Sequence, residues 1–223
     1  MTFAYVLLLD LVGSSRLPDR QAATETLQGA QAVVNERYAN RWLAPLETTR
    51  GDEMAAVLRG PEVAYEVISD LGDEIHPLTL RAVVKYGELV AGLETRRASI
   101  IDGPAFHVAD RQMDDLKDGP GLCHFDLGLE DLDRLLNALG NLLLSQLAEL
   151  TEQQRKILRH YQRDLEETGS VKQAEVAQAV GTTQQSVSKT LKTIRWELID
   201  AGEKEMRRLL AQAGNRRPEG QAA

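Results

Sequence analysis

The stretch YVLLLDLVGSS, Tyr5 to Ser15, runs from a continuous apolar segment into Asp10 and closes on Gly13-Ser14-Ser15. A short apolar run bounded by turn residues reads as a buried strand, which puts the Asp10 carboxylate at the strand's end. Ala4 to Leu9 is too short for a membrane span, no Lys or Arg precedes it, and it meets an acid at once. It therefore reads as neither a signal peptide nor a transmembrane segment, and a cytoplasmic protein with no membrane partner is expected. Cys123 is the only cysteine, which excludes an intramolecular disulfide and agrees with a reducing compartment.

Outward from that strand, residues 20 to 42 carry Ala23, Leu27, Ala30, Val34 and Tyr38 at helical spacing, as a helix packed on a sheet would. Leu46 to Thr49 and Met54 to Leu58 flank Arg50-Gly51-Asp52-Glu53 and predict a hairpin with Asp52 near its tip. Pro61 to Ile75 predicts a helix. Leu78 to Val84 predicts a strand, with another from Tyr86 to Val90. A helix is expected from about Ala105 to Leu116, and Leu122 to Leu127 reads as the last strand. Strands and helices mix without βαβ alternation, so the fold class is α+β. Residues 1–128 form one domain. A leucine-rich connector, residues 129–149, follows; its apolar face either covers the first domain or pairs with a second copy. Gly140 within it is expected to weaken or bend the helix.

The 223 residues carry a net charge of −8, which argues against nucleic acid only if the charge is uniform. It is not. Residues 1–130 hold 12 basic against 21 acidic side chains, and residues 131–223 hold 14 against 13. Between Lys172 and Arg195 there are four basic residues and one acid. Three capping boxes, Thr151 with Gln154, Ser170 with Gln173 and Thr182 with Gln185, open three helices in residues 150–212. Ala177, Gly181 and Val187 occupy the small, turn and locking positions of a helix-turn-helix. In the helix beginning near Thr183, a stripe of Val187, Leu191, Ile194 and Leu198 faces inward. That leaves Gln184, Gln185, Ser188, Lys189, Lys192 and Arg195 outward, with amides and hydroxyl for base edges and cations for phosphates. The partner this predicts is double-stranded DNA; a three-helix packing module is the alternative. Residues 213–223 lack periodicity and are expected to be disordered.

Asp10 and Asp52 lie at adjacent strand ends, where two carboxylates can hold a hard divalent ion, and the Gly13, Ser14 and Ser15 turn offers amides to a phosphate. The ordered run Asp10-x-x-Gly13-Ser14-Ser15, Gly51-Asp52, Arg81 to Gly87 and Gly103-x-x-Phe106-His107-x-x-x-Arg111 resembles class III nucleotide cyclases over residues 4–116. Ser15-Arg16-Leu17-Pro18-Asp19-Arg20, Gly51-Asp52-Glu53 and Asp102-Gly103-Pro104-Ala105-Phe106 more closely resemble the SatD family. These resemblances imply a cyclase-like (ferredoxin-like) α+β domain followed by an all-α helix-turn-helix domain. They imply metal ligands at Asp10 and Asp52, Mg²⁺ with a nucleotide as cofactor, and a transition-state arginine at Arg111. His107 stands where cyclases carry asparagine, Thr48 where they carry the base-reading lysine, and Ile100 where they carry its acidic partner, so cyclase turnover is not expected. The combined expectation is a dimeric DNA-binding transcriptional regulator whose first domain senses a nucleotide or mediates dimerisation. The alternatives are a Mg²⁺-dependent nucleotide-processing enzyme addressed to DNA, and a structural dimer scaffold.

Overall fold

A computed structural model describes residues 2–14, 17 and 19–216 of the chain. Five strands form one sheet, β1 (Thr2–Leu11), β2 (Trp42–Arg50), β3 (Glu53–Leu58), β4 (Leu80–Leu89) and β5 (Cys123–Asp126), in the order β2-β3-β1-β4-β5. All neighbours are antiparallel except β4 and β5. β1 is central, which is why it is apolar on both faces. Tyr5, Leu7, Leu9 and Leu11 enter one core and Ala4, Val6 and Leu8 the other.

The first core is covered by α1 (Arg20–Arg37), α2 (Ala64–Ile75) and α4 (Glu130–Ala148), and the second by α3 (Pro104–Asp118) with the segment 91–102. α1 stops at Arg37, five residues short of expectation, because a 3₁₀ turn at Ala39–Arg41 leads into β2. The two strands expected over residues 78–90 are the single strand β4, which pairs with β1 over its whole length.

α4 packs within the chain. Asn137 and Asn141, one turn apart, clasp the free side of β5. The Phe125 amide donates to Asn137 Oδ1 at 2.7 Å and Asn137 Nδ2 to the Phe125 carbonyl at 2.8 Å. Asn141 does the same for Cys123, at 3.0 and 2.8 Å. Four residues of helix rise about 6 Å and two of strand about 6.6 Å, so the spacings match. The expected bend at Gly140 is replaced by a close approach: a Cβ there would stand 2.8 Å from Cys123 Sγ. Burial pushes the Cys123 thiol up to about 12, so it is a core residue.

The remaining helices are α5 (Glu152–Thr168), α6 (Gln173–Ala179), α7 (Gln184–Ile194) and α8 (Trp196–Asn215). The apolar core is continuous from β1 through Val176, Val187 and Leu191 to Ala213. Ala213 is buried in α8, so the tail expected to be disordered from that point is helical to Asn215. The rest of that stretch, 217–223, lies outside the described residues. Among the described residues no helix is long and apolar enough to cross a membrane.

Ionic contacts join α2 to the C-terminal helices. Arg155, only 8% exposed, donates to Asp73 and to the Leu147 carbonyl. Glu203 of α8 accepts from Tyr65 at 3.3 Å and Gln162 at 2.7 Å, and burial pushes its carboxyl up to about 7. An acid whose pKa is raised on folding loses stability as pH climbs from its unfolded value, 4.5, to its folded one. Glu203→Gln should therefore stabilise the protein on the order of 3 kcal/mol at pH 8. The gain should shrink toward pH 5; urea titrations at both pH values check it, and a pH-independent gain would contradict the burial argument.

Candidate functional site

Asp10 ends β1 on the α3 side of the sheet, and a cleft of about 500 Å³ opens beside it. Phe106, His107, Asp110, Met113, Asp114 and Lys117 of α3 form one wall, at the three- and four-residue steps that share a helix face. Thr49, Arg50 and Glu53 of the β2–β3 hairpin form another, and Ala98, Ser99, Ile101 and Asp102 a third. The third wall is pinned by Glu47, which accepts from the Ser99 amide at 2.6 Å and from Arg97 at 3.4 Å.

At the cleft floor Lys117 Nζ stands 3.2 Å from Asp10 Oδ1 and 3.1 Å from Glu53 Oε1. Burial works against this ammonium, but its bonds to the two acids outweigh burial and hold its pKa above the ordinary lysine range. Burial pushes the Asp10 carboxyl up; Lys117 partly offsets this, while Asp52 and Glu53 add to it. Asp110 is also raised, by burial first and then by Glu53.

The sequence-predicted residues separate here. Asp10 and His107 line the cleft, and His107 Nε2 lies 3.2 Å from Asp102 Oδ1. Asp52 occupies the hairpin turn, near enough for its charge to reach Asp10 but outside the lining. Gly13 and Ser14 form a turn away from the lining, and Ser15 lies outside the described residues. Arg111 is exposed on the flank of α3, so the expected convergence of Asp10, Asp52 and Arg111 is not seen within one chain. Thr48 bonds Gln31 of α1 on the opposite face of the sheet, and Ile100 is 48% exposed.

The residues do not fit a bare divalent ion. Among the described residues no group of three metal-ligating side chains converges, and an ammonium occupies the space between the two nearest carboxylates. Lys117 and Glu53 escaped sequence reasoning. The signal for Lys117 was its place seven residues after Asp110 on the same helix face.

In the C-terminal module, α5 keeps its capping box, with both Thr151 and Gln154 bonds formed. The other two boxes are not formed as expected. α6 begins after Lys172 with no side-chain cap, and α7 is capped by Thr183, which accepts from the Ser186 amide at 3.1 Å. Gly181, φ +69°, turns the chain between them, and the Thr182 amide bonds the Ala177 carbonyl at 2.8 Å. Val187 and Leu191 are buried, while Thr183, Gln184, Gln185, Lys189 and Lys192 are exposed and Ser188 half-buried. Arg195 is exposed but left-handed, φ +53°, and ends α7. The inward stripe is therefore interrupted: Leu198, expected inside, is 63% exposed in α8, and Ile199 is buried instead.

Replacing Lys117 by Met would leave Asp10 and Glu53 facing each other. The variant should lose about 1–3 kcal/mol at pH 8. The deficit should close as pH falls through the raised Asp10 pKa, because protonation removes the unpaired charge. Millimolar Mg²⁺ should stabilise the variant more than the wild type, measured as a melting-temperature shift. Equal shifts in both would show that Lys117 does not hold the ion's place.

A bacterial light-regulated adenylyl cyclase is similar at 16% identity and TM-score 0.39, over 55% of this chain and 74% of that one. A second such structure gives 15% identity and TM-score 0.41, over 56% of this chain and 43% of that one. The adenylyl cyclase CyaB from P. aeruginosa gives 15% and 0.34, over 51% and 71%. No curated protein matches the chain significantly. The SatD family model matches residues 5–200, nearly the whole length that carries the sheet, the cleft and the three helices α5 to α7, and the chain belongs to the SatD family.

Proposed function

We propose that this protein is a homodimeric DNA-binding transcriptional regulator in which the cleft is a ligand site without catalysis. The observation that carries the reading is the exposed face of α7. Gln184 and Gln185 stand at its start, Lys189 and Lys192 along its length, and the helix is held by a glycine turn against α6. Amides at a helix N-terminus suit base edges in the major groove, and cations farther along suit phosphates.

The cleft supports the non-catalytic part. Asp10, Glu53, Asp102, Asp110 and Asp114 line it against Arg50, Lys117 and His107. A nucleoside phosphate would be repelled unless it brought its own cation, so Mg²⁺ and nucleotide would enter together. With Arg111 outside the cleft and Lys117 already engaged by Asp10 and Glu53, neither is free to stabilise charge on a transferring phosphoryl group. The dimer is supported by Leu135, Leu142 and Leu198, which are 54%, 66% and 63% exposed. α4 and α8 pack side by side, with Gly202 against Leu143 and Gly140 near Met206, so they run antiparallel.

Lys189→Ala with Lys192→Ala should weaken binding to every duplex and lower the log–log salt slope by up to about two. Gln184→Ala or Gln185→Ala should change the preferred site instead. A double-lysine variant with wild-type affinity and slope in fluorescence anisotropy would overturn the DNA assignment. Leu142→Glu with Leu198→Glu should give a monomer in sedimentation; an unchanged mass for the folded variant would remove this surface from the dimer.

A further inference from the structure

A second cationic feature lies beside the helix-turn-helix. Lys156, Arg159, His160 and Arg163 of α5, with Ala179 and Val180 at the end of α6, line a groove of about 420 Å³ with no carboxylate in its wall. Lys156, His160 and Arg163 follow at four- and three-residue steps and share one helix face. In a chain whose net charge is −8 with histidines neutral, three cations and a histidine around one groove are a local inversion.

The four are unequally engaged. Arg159 reaches across to Glu74 of α2, and Lys156 pairs along its own helix with Glu152 at 2.6 Å. Arg163 contacts His160 Nδ1 at 2.7 Å, and its nearest carboxylate, on Asp164, is 3.9 Å away, beyond hydrogen-bond reach. A guanidinium set against an imidazole is poorly satisfied, and a phosphate oxygen is a stronger acceptor for it.

We propose that this groove holds a backbone phosphate of the duplex that α7 reads. The proposal rests on the DNA reading and extends its footprint from α7 to α5. Reach favours it: Val180 is three residues from Thr183, the cap of α7, so at most about 10 Å of chain separates groove and reading helix. The lining favours a backbone phosphate over a free nucleotide, because Ala179 and Val180 are its only apolar residues and neither offers a shelf for a base.

The test uses the full chain and the variant Lys156→Gln with Arg163→Gln, whose side chains are 56% and 54% exposed. Affinity should fall equally for specific and random duplexes, and the salt slope should drop by up to about two, near 0.9 for each lost phosphate contact. Wild-type slope and affinity in this variant, with binding still lost in the Lys189 and Lys192 variant, would overturn the groove and leave the DNA reading standing. Failure of the wild type to bind any duplex would overturn both. Calorimetry with pyrophosphate supplies the other arm: binding lost in the variant while the DNA salt slope stays unchanged would replace the duplex by a free phosphate ligand.

Discussion

Two asparagines on one helix turn decide how the molecule is assembled. A sheet edge presents unpaired amides and carbonyls, and leaving them unpaired under a packed helix would cost about 1–3 kcal/mol for each buried group. Asn137 and Asn141 pair those groups on Cys123 and Phe125, so β5 is bounded by β4 on one side and by amide side chains on the other. With α4 fixed to the edge, its leucines cover the sheet, and α8 lies along it with Met206 near Gly140. Helices α5 to α8 are thereby continuous with the sheet domain, and Arg155 reinforces the join by bonding both Asp73 and the Leu147 carbonyl.

The cleft follows a different electrostatic logic from the one its acids suggested. Two neighbouring carboxylates need a counter-charge, and a metal ion or a basic side chain can supply it. Lys117 supplies it here, from the last turn of α3 and inside hydrogen-bond distance of both acids. A resident ammonium satisfies the pair without the octahedral oxygen shell that Mg²⁺ demands. The rim of the site so built is acidic, with Asp102, Asp110 and Asp114 lining the same cleft.

Elements with a strong local signal were readable from the chain. The apolar run at Tyr5, the Gly51 hairpin, the leucine period of α4 and the Gly181 turn all formed where expected. What was not readable depended on partners distant in sequence. Asn137 and Asn141 look like ordinary surface amides until β5 lies beside them. Lys117 is one of seven lysines with no local mark of its role until Asp10, more than a hundred residues earlier, meets it. Leu198 fitted a helical stripe that the left-handed Arg195 then broke, and the residues around Arg195 carry no Gly or Pro to announce the break. Arg111 matched a family position by order, but helix phase carried it to the flank of the cleft.

The continuous core predicts that sheet, connector and helices α5 to α8 form one cooperative body. The two tryptophans are placed to test it, because Trp42 is buried at the start of β2 and Trp196 of α8 packs on Tyr161 of α5, with ring centroids 4.7 Å apart. In Trp42→Phe the remaining fluorescence reports the C-terminal module alone, while far-UV circular dichroism reports the whole chain. Urea unfolding of that variant should give coincident curves by the two probes, with one midpoint and one slope. A Trp196 transition that precedes the loss of circular dichroism would show a separately unfolding module instead of one cooperative body.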